Sequence, residues 1–408
     1  MPASKHPAGD LDQAASRRLL GYGRQSIAQQ DIDAVIEVLR SDYLTQGPTV
    51  ERFEAALAEY VGARYAVAVS SGTAALHVAY LAARLGAGGH AVTQAVTFVA
   101  TANAAVACGA TVSLTDIDVV TLGMDPRGLQ NALARRPDVS LVLPVHMGGL
   151  SADPATIAAA SAGRIVIEDA CHALGGREPD NAMVGSCRHS AMACFSFHPV
   201  KSITTGEGGA VTTNDPELAR RLRMLRNHGL ERDAARLTDH EQGFDHGEPN
   251  LWYYEQHVLG FNYRMTDLQA ALGLSQLGRI DKFIARRRQL AHYYDEAFAG
   301  LAAMRPMQSG GDARPRSAHH LFIVEIDFAA LGKSRRTVMA ELKQRGVGTQ
   351  VHYIPLYRQP FHQTLGRPQD FLGAERYYRG CLSLPLHAAL TDADADQVVS
   401  AVREVVSC

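Results

Sequence analysis

Phe195-Ser196-Phe197-His198-Pro199-Val200-Lys201-Ser202-Ile203-Thr204-Thr205-Gly206-Glu207-Gly208-Gly209-Ala210 is the stretch on which the fold turns. The aromatic, half-apolar run from Ala191 to Phe197 reads as a strand, His198-Pro199 breaks it, and Ala210-Val211-Thr212-Thr213 restarts a strand behind Gly206, Gly208 and Gly209. Lys201 therefore stands at a strand end, on a turn, beside backbone that a ligand can approach closely. An amine so placed, once partly removed from water, has a lowered pKa and can form a Schiff base. A plain surface lysine on a loop fits this stretch equally well, because lysines are mostly exposed.

The surroundings repeat one rhythm. Further strand candidates are Tyr65–Val69, Ala91–Thr93, Thr111–Thr115, Leu141–Val145 and Arg164–Ile167, and helical segments such as Phe98–Ala107 and Pro154–Ala162 lie between most of them. This alternation predicts a mostly parallel sheet covered by helices, with ligands bound at the strands' carboxyl ends. The residues expected there are Ser71-Gly72-Thr73, Phe98, His146, Asp169, His172, Ser196 and Lys201. After Tyr65–Val69, the run Ser70-Ser71-Gly72-Thr73 leads into a helix, and a helix start behind small hydroxyl residues is an anion site as well as an ordinary capped end. Ile165-Val166-Ile167-Glu168-Asp169 ends a β-branched strand on two acids. A carboxylate there needs a cationic partner: a protonated cofactor ring nitrogen, an arginine or a metal. No ligand spacing accompanies it, so no metal site is expected.

Composition narrows the class. The chain has 408 residues, 46% of them apolar, and a net charge of −2. Length allows two or three domains, and near-neutral charge argues against nucleic acid or an anionic membrane as partner. Six cysteines are scattered without metal-ligand pairing, which fits reduced thiols in a cytoplasmic compartment. No segment reads as a signal peptide or membrane span, and residues 1–20 read as a loosely held extension.

Two helices are expected over Asp31–Arg40 and from Thr49, which can cap the second, with a polar turn carrying Tyr43 and Thr45 between them. Asp233 to Gln256 reads as a long loop with an aromatic anchor at Trp252-Tyr253-Tyr254, the kind of loop that serves function or reaches a neighbouring subunit. A basic amphipathic helix follows from about Asp281 to Ala299, its charged face expected in solvent. From about Met304 a second, α+β unit begins.

Six stretches together carry a resemblance: Tyr43-Leu44-Thr45-Gln46-Gly47-Pro48, Ser71-Gly72-Thr73-Ala74-Ala75-Leu76, Thr97-Phe98-Val99-Ala100-Thr101-Ala102-Asn103, Glu168-Asp169-Ala170-Cys171-His172-Ala173, Ser196-Phe197-His198-Pro199-Val200-Lys201 and Gly260-Phe261-Asn262-Tyr263-Arg264-Met265. In this order they resemble fold-type-I aminotransferases, and within them the DegT/DnrJ/EryC1/StrS sugar aminotransferases. The resemblance implies an α/β fold, with a large pyridoxal-phosphate-binding domain over 61–284 built on a mostly parallel sheet between helices. It also implies a smaller α+β domain over 285–408, with the helices of 21–60 packing against that smaller domain.

The resemblance also implies site residues. Lys201 resembles the lysine that holds pyridoxal 5′-phosphate, and Asp169 the carboxylate on the pyridine nitrogen; these two are the expected catalytic residues. Phe98 resembles the ring-stacking residue, with His172 on or near the other face. Gly72, Thr73 and Ser196 resemble phosphate contacts, and Asn262 a phosphate contact from the other subunit of a homodimer with shared sites. Tyr22, Asp42, Tyr43, Leu44, Thr45, Ser71, Gln350, Val351, His352 and Tyr353 match substrate-binding stretches.

Ser41–Pro48, Lys201–Asn214 and Gln350–Tyr353 are most similar to the subgroup of the pseudaminic-acid pathway. That implies a UDP-4-keto-6-deoxy-N-acetylhexosamine as acceptor and glutamate as donor. Another keto-sugar nucleotide, such as a dTDP-4-keto-6-deoxyhexose, is the rival substrate. A non-catalytic cofactor- or nucleotide-sugar-binding protein is the rival of another class, and it leaves the lysine unexplained. Two departures from the family pattern bear on the subgroup: Gln94-Ala95-Val96 lacks a proline common before the Thr-Phe element, and Ser71 replaces a commoner Asn. The lysine itself argues against the relatives that carry histidine in its place and dehydrate sugars.

Overall fold

The computed structural model describes residues 18–309 and 311–406, so the extension expected over 1–20 lies outside the described residues up to position 17. Its organising element is one seven-stranded sheet. The strands β1 (Tyr65–Val69), β2 (His90–Gln94), β3 (Thr111–Thr115), β4 (Leu141–Leu143), β5 (Ile165–Asp169), β6 (Met192–Ser196) and β7 (Gly209–Thr213) lie in the order β1-β7-β6-β5-β4-β2-β3. From β6 to β3 all neighbours are parallel, while β7 runs antiparallel to both β6 and β1. The exception has a local cause: the connection from β6 to β7 turns straight back, Ser196 pairing with Gly209, and contains no crossover helix. Lys201 sits in that connection.

Every residue of β2 and β7 is buried, as strands covered on both faces must be. Side chains alternate between the two layers, so Ala91 joins the core on one side and Val92 the core on the other.

The N-terminal helices pack elsewhere than expected. α1 (Gln29–Leu39) and α2 (Pro48–Val61) lie on the helix Asp267–Leu277, and α2 also lies on β1. Phe53 and Leu57 find their apolar partners there, among Ala66, Ala68 and Ala270. Only the segment before α1 joins the C-terminal unit: Leu20 N donates to Gly346 O, Gly348 N to Leu20 O, and Leu386 N to Tyr22 O. Thr49 does not cap α2. The cap residue is Gly47, and the carboxylate of Asp267 takes the free amides of Gly47 (2.8 Å) and Thr49 (3.0 Å) from a distant part of the chain.

The C-terminal unit is built on an antiparallel sheet of Met304–Pro306, Phe322–Ile326 and Cys381–Leu384. The helix Ile280–Phe298 bridges the two units. Ile280, Phe283 and Ile284 belong to the core under the large sheet, and Leu290, Tyr294 and Phe298 to the core of the small one. Its charged face is not all solvated, because Arg287, between those two sets, is buried.

The stretch 233–256 is not a bare loop. It holds short helical turns and two-residue strands, 230–231 pairing with 255–256 and 244–245 with 248–249. Of the expected aromatic anchor, Trp252 is 70% exposed and meets the Tyr253 ring edge-on at 5.7 Å, while Arg232 lies over the Tyr254 ring. Among the described residues, no helix is long and apolar enough to cross a membrane.

Candidate active site

β1, β5 and β6 run in the same direction, with β7 between β1 and β6, and above their carboxyl ends opens a cavity of about 590 Å³. β1 delivers Ser71, whose hydroxyl caps the helix α3 (Gly72–Ala82) by accepting from Ala74 N (3.1 Å). Ser71, Gly72 and Thr73 thus line the cavity with the positive end of a helix. Gly72 has a steric reason: a Cβ there would lie 2.8 Å from Ser196 Cβ, because the ends of β1 and β6 approach closely.

β5 separates its two acids by the alternation of a strand. Glu168 turns away from the cavity and is fully buried, its carboxylate held by His146 Nε2 (2.6 Å) and the Ser190 hydroxyl. His146 therefore does not reach the cavity; its Nδ1 accepts from Ala152 N, which leaves Nε2 to donate to Glu168. Asp169 faces the cavity. Thr101 Oγ1 donates to its Oδ2 (2.7 Å) and Cys171 N to its Oδ1 (3.2 Å).

Lys201 lines the same cavity, its position set by a turn in which its own N–H donates to His198 O (2.9 Å). Burial lowers its pKa; Cys171 and Asp169 pull the other way, and the cation of Arg287 lowers it further. Arg287 lies beneath the loop with its guanidinium on backbone oxygens, donating to Leu386 (2.8 Å), His319 (3.2 Å) and His320 (3.3 Å) and, at 3.4–3.5 Å, to Lys201 and Val200. Burial holds its pKa down to about 10. The remaining lysines are Lys5, outside the described residues, and Lys282, Lys333 and Lys343, none of which lines this cavity.

The opposite wall comes from the C-terminal unit. His172 Nδ1 accepts from Gly148 N (3.3 Å), and burial keeps the ring's pKa well below its usual value, so the neutral imidazole carries its proton on Nε2. That proton is donated to the Tyr353 hydroxyl (3.0 Å), which leaves the phenol free to donate its own into the cavity. The Phe98 ring stands 5.6 Å from that of Tyr353, and Tyr22 packs edge-on against His352, whose pKa burial lowers to about 4.

The cavity thus gathers Tyr22, Ser71, Gly72, Thr73 and Phe98 from the N-terminal part and Asp169, His172, Ser196 and Lys201 from the sheet. Gln350, Val351, His352 and Tyr353 come from the C-terminal unit. Asp42, Tyr43, Leu44, Thr45 and Asn262 are not among its lining residues, and all five are exposed. His320 escaped the sequence reading. It lines the cavity with its ring 4.4 Å from that of His172, and no local pattern ties a histidine before the strand Phe322–Ile326 to the end of β5. A second cluster, away from the cavity, also escaped: Glu178, Asp180 and His189 bring ligand atoms within 4.8 Å of one another.

Pyridoxal 5′-phosphate fits these residues. The amine of Lys201 is available for its aldehyde, Asp169 for its ring nitrogen, and the end of α3 with Ser196 for its phosphate. A sheet of this topology with such a lysine at its carboxyl edge is the arrangement of the fold-type-I pyridoxal-phosphate enzymes.

Comparison with known proteins agrees. The model of the DegT/DnrJ/EryC1/StrS aminotransferase family matches residues 25–403. The chain is 38% identical over 392 residues to the spore coat polysaccharide biosynthesis protein SpsC of Bacillus subtilis (strain 168), covering 95% of this chain and 97% of SpsC. Among solved structures it is similar to Helicobacter pylori PseC, an aminotransferase involved in the biosynthesis of pseudoaminic acid. That match has a TM-score of 0.86 and 28% identity, covering 96% of this chain and 100% of PseC. It is also similar to the PLP form of the putative sugar aminotransferase Spr1654 from Streptococcus pneumoniae, with a TM-score of 0.83 and 26% identity over 95% and 99% of the two chains. The chain belongs to the DegT/DnrJ/EryC1/StrS aminotransferase family. It is a pyridoxal-phosphate-dependent sugar aminotransferase of fold type I.

Proposed function

We propose that the enzyme aminates C4 of a UDP-4-keto-6-deoxy-N-acetylhexosamine, with glutamate as amino donor, at the Lys201 cavity. The observation that carries this reading is the likeness to PseC over nearly the whole of both chains. The Gln350–Tyr353 stretch at the cavity wall supports it.

Lys201 holds the cofactor and Asp169 receives its ring nitrogen. Bound there, the cofactor supplies an electron sink for the electron pair left on a substrate carbon when its proton departs. The side chains move the protons. Lys201 Nζ, released when the donor amine takes its place and neutral in larger fraction because burial lowers its pKa, takes the proton from the α-carbon of glutamate and returns it to the carbon on the far side of the amine nitrogen. With the keto sugar the same nitrogen works in the reverse direction and delivers a proton to C4. Asp169, fixed by Thr101, keeps its charge aimed at the ring nitrogen. The Tyr353 hydroxyl, already accepting from His172, donates to an acceptor oxygen of the substrate.

A second copy of the chain completes each site. Leu251, Trp252 and Leu259, on the segment that leads to Asn262, stand exposed, and Tyr43 and Leu44 are exposed as well, side chains that a partner subunit would cover. Asn262 and Asp42–Thr45 then serve the partner's cavity.

The test is turnover on a panel of keto-sugar nucleotides with glutamate. The UDP-4-keto-6-deoxy-N-acetylhexosamine should show the highest kcat/KM. Preference for a dTDP-4-keto-6-deoxyhexose would move the enzyme to the rival substrate class.

A further inference from the structure

We propose that Glu178, Asp180 and His189 form a binding site for one divalent metal ion, separate from the cofactor cavity. The three residues lie on the connection between β5 and β6. Glu178 to Ala182 form a tight turn, with Asn181 N donating to Glu178 O (3.0 Å) and Glu178 N to Ala182 O (2.8 Å). The chain then returns so that His189 Nε2 lies 3.6 Å from Asp180 Oδ2. One ligand atom from each of the three falls within 4.8 Å of the others. Bonds of about 2.0–2.2 Å to a shared ion would set such atoms a little closer. Asp180 and His189 are open enough at the surface to make that adjustment.

The second observation is the state of Glu178. Its side chain is buried, with 1% exposure, and neither carboxylate oxygen has a hydrogen-bond partner. A buried carboxylate without a donor or a cation is costly. The charges nearest to it make matters worse: Glu168, Asp180 and Asp153 are all acidic. Arg188 is the one cation among them, and its guanidinium lies 3.5 Å from Asp180 with its side chain mostly in solvent. Burial first, then these acids, pushes the Glu178 carboxyl up to about 8.

Two things satisfy such a group, a proton or a cation. The convergence of a second carboxylate and an imidazole nitrogen on it favours the cation. Two carboxylate oxygens and one imidazole suit a borderline or hard divalent ion such as Zn²⁺ or Mn²⁺, with water in the open positions. The site is structural. Next to His189, the Ser190 hydroxyl donates to Glu168, the neighbour of Asp169, so an ion here would fasten the connection whose start carries Cys171 and His172.

The experiment uses the cofactor-loaded enzyme and Mn²⁺, an ion that favours oxygen and nitrogen donors and so avoids the cysteines. Bound and free Mn²⁺ are separated by electron paramagnetic resonance, and Tm is recorded with and without the ion. One Mn²⁺ per chain should bind and raise Tm. Glu178→Gln should weaken binding at least ~10²-fold, since even outer-shell changes cost 10–100-fold. His189→Ala, which leaves the interior intact, should weaken it similarly, and neither variant should respond to Mn²⁺ in Tm. Three results would overturn the site: no binding by the parent, binding undiminished in both variants, or a Tm that rises in Glu178→Gln while the parent ignores Mn²⁺. The last would show that a proton, not a metal, satisfies Glu178.

Discussion

The loop that carries Lys201 and the segment from Leu251 to Asn262 are opposite in construction. Around Lys201 the chain closes on itself: Ser202, Ile203, Thr204 and Thr205 are buried, Thr205 N donates to Phe197 O, and Arg287 gathers carbonyls beneath. The other segment offers Leu251 at full exposure and Leu259 at 72%, with Asn262 also in the open. One region is finished within a single chain, and the other is shaped for contact it does not make there. On the proposed reading, the chemistry is held by one chain, while recognition at the edge of the cavity is left to a second copy.

If that contrast is right, the largest effect belongs to the lysine. Lys201→Ala should lower kcat by about 10⁴-fold or more, since it removes both the cofactor's anchor and the proton carrier. A folded variant that turns over at a tenth of the parent rate would break the comparison at its firmer end. Next comes Asp169→Asn, nearly isosteric, which should slow proton abstraction by about 10²-fold or more while the Thr101 contact survives. Stopped-flow measurement of the glutamate half-reaction isolates that step.

Asn262→Ala sharpens the other end. It should loosen cofactor retention about 10-fold, by loss of one charge-assisted contact, with Lys201 untouched. Mixing it with Lys201→Ala chains should then restore part of the activity, because a heterodimer has one site with both lesions and one with neither. No recovery, with subunit exchange demonstrated, would return Asn262 to its own chain's site or remove it from both.

The smallest effect on rate is expected from Arg287→Met. It strips the partner from several buried carbonyls and should cost about 3 kcal/mol of stability. It also removes a cation that holds the Lys201 pKa down. That pKa should rise, so a smaller fraction of Lys201 is neutral at a given pH. The rising limb of the pH–rate profile should therefore move to higher pH. A profile that stays in place would mean that Arg287 only packs.

The sequence carried the sheet well because its strands are buried runs bounded by turn residues. Tyr65–Val69 and Thr111–Thr115 were legible to the residue, and the strand read from Ala210 to Thr213 begins one residue earlier, at Gly209. What escaped depends on contacts distant in sequence. No local pattern says that Asp267 will cap α2, that α1 and α2 will choose the helix Asp267–Leu277 over the small unit, or that an arginine in a basic helix will be buried. Of the two acids ending β5, strand alternation requires that they part, but only the fold decides that Glu168 takes His146 and Asp169 takes the cavity. His320 and the Glu178–Asp180–His189 cluster are the same case, since their partners meet only in three dimensions.

The most direct test is chemical. The purified enzyme, loaded with pyridoxal 5′-phosphate, is reduced with borohydride, digested and mapped by mass spectrometry. The account predicts loss of the cofactor's long-wavelength absorbance and a stable phosphopyridoxyl group on the peptide containing Lys201, with Lys282, Lys333 and Lys343 unmodified. A label on any of those three, or none on a fully loaded enzyme, would contradict it.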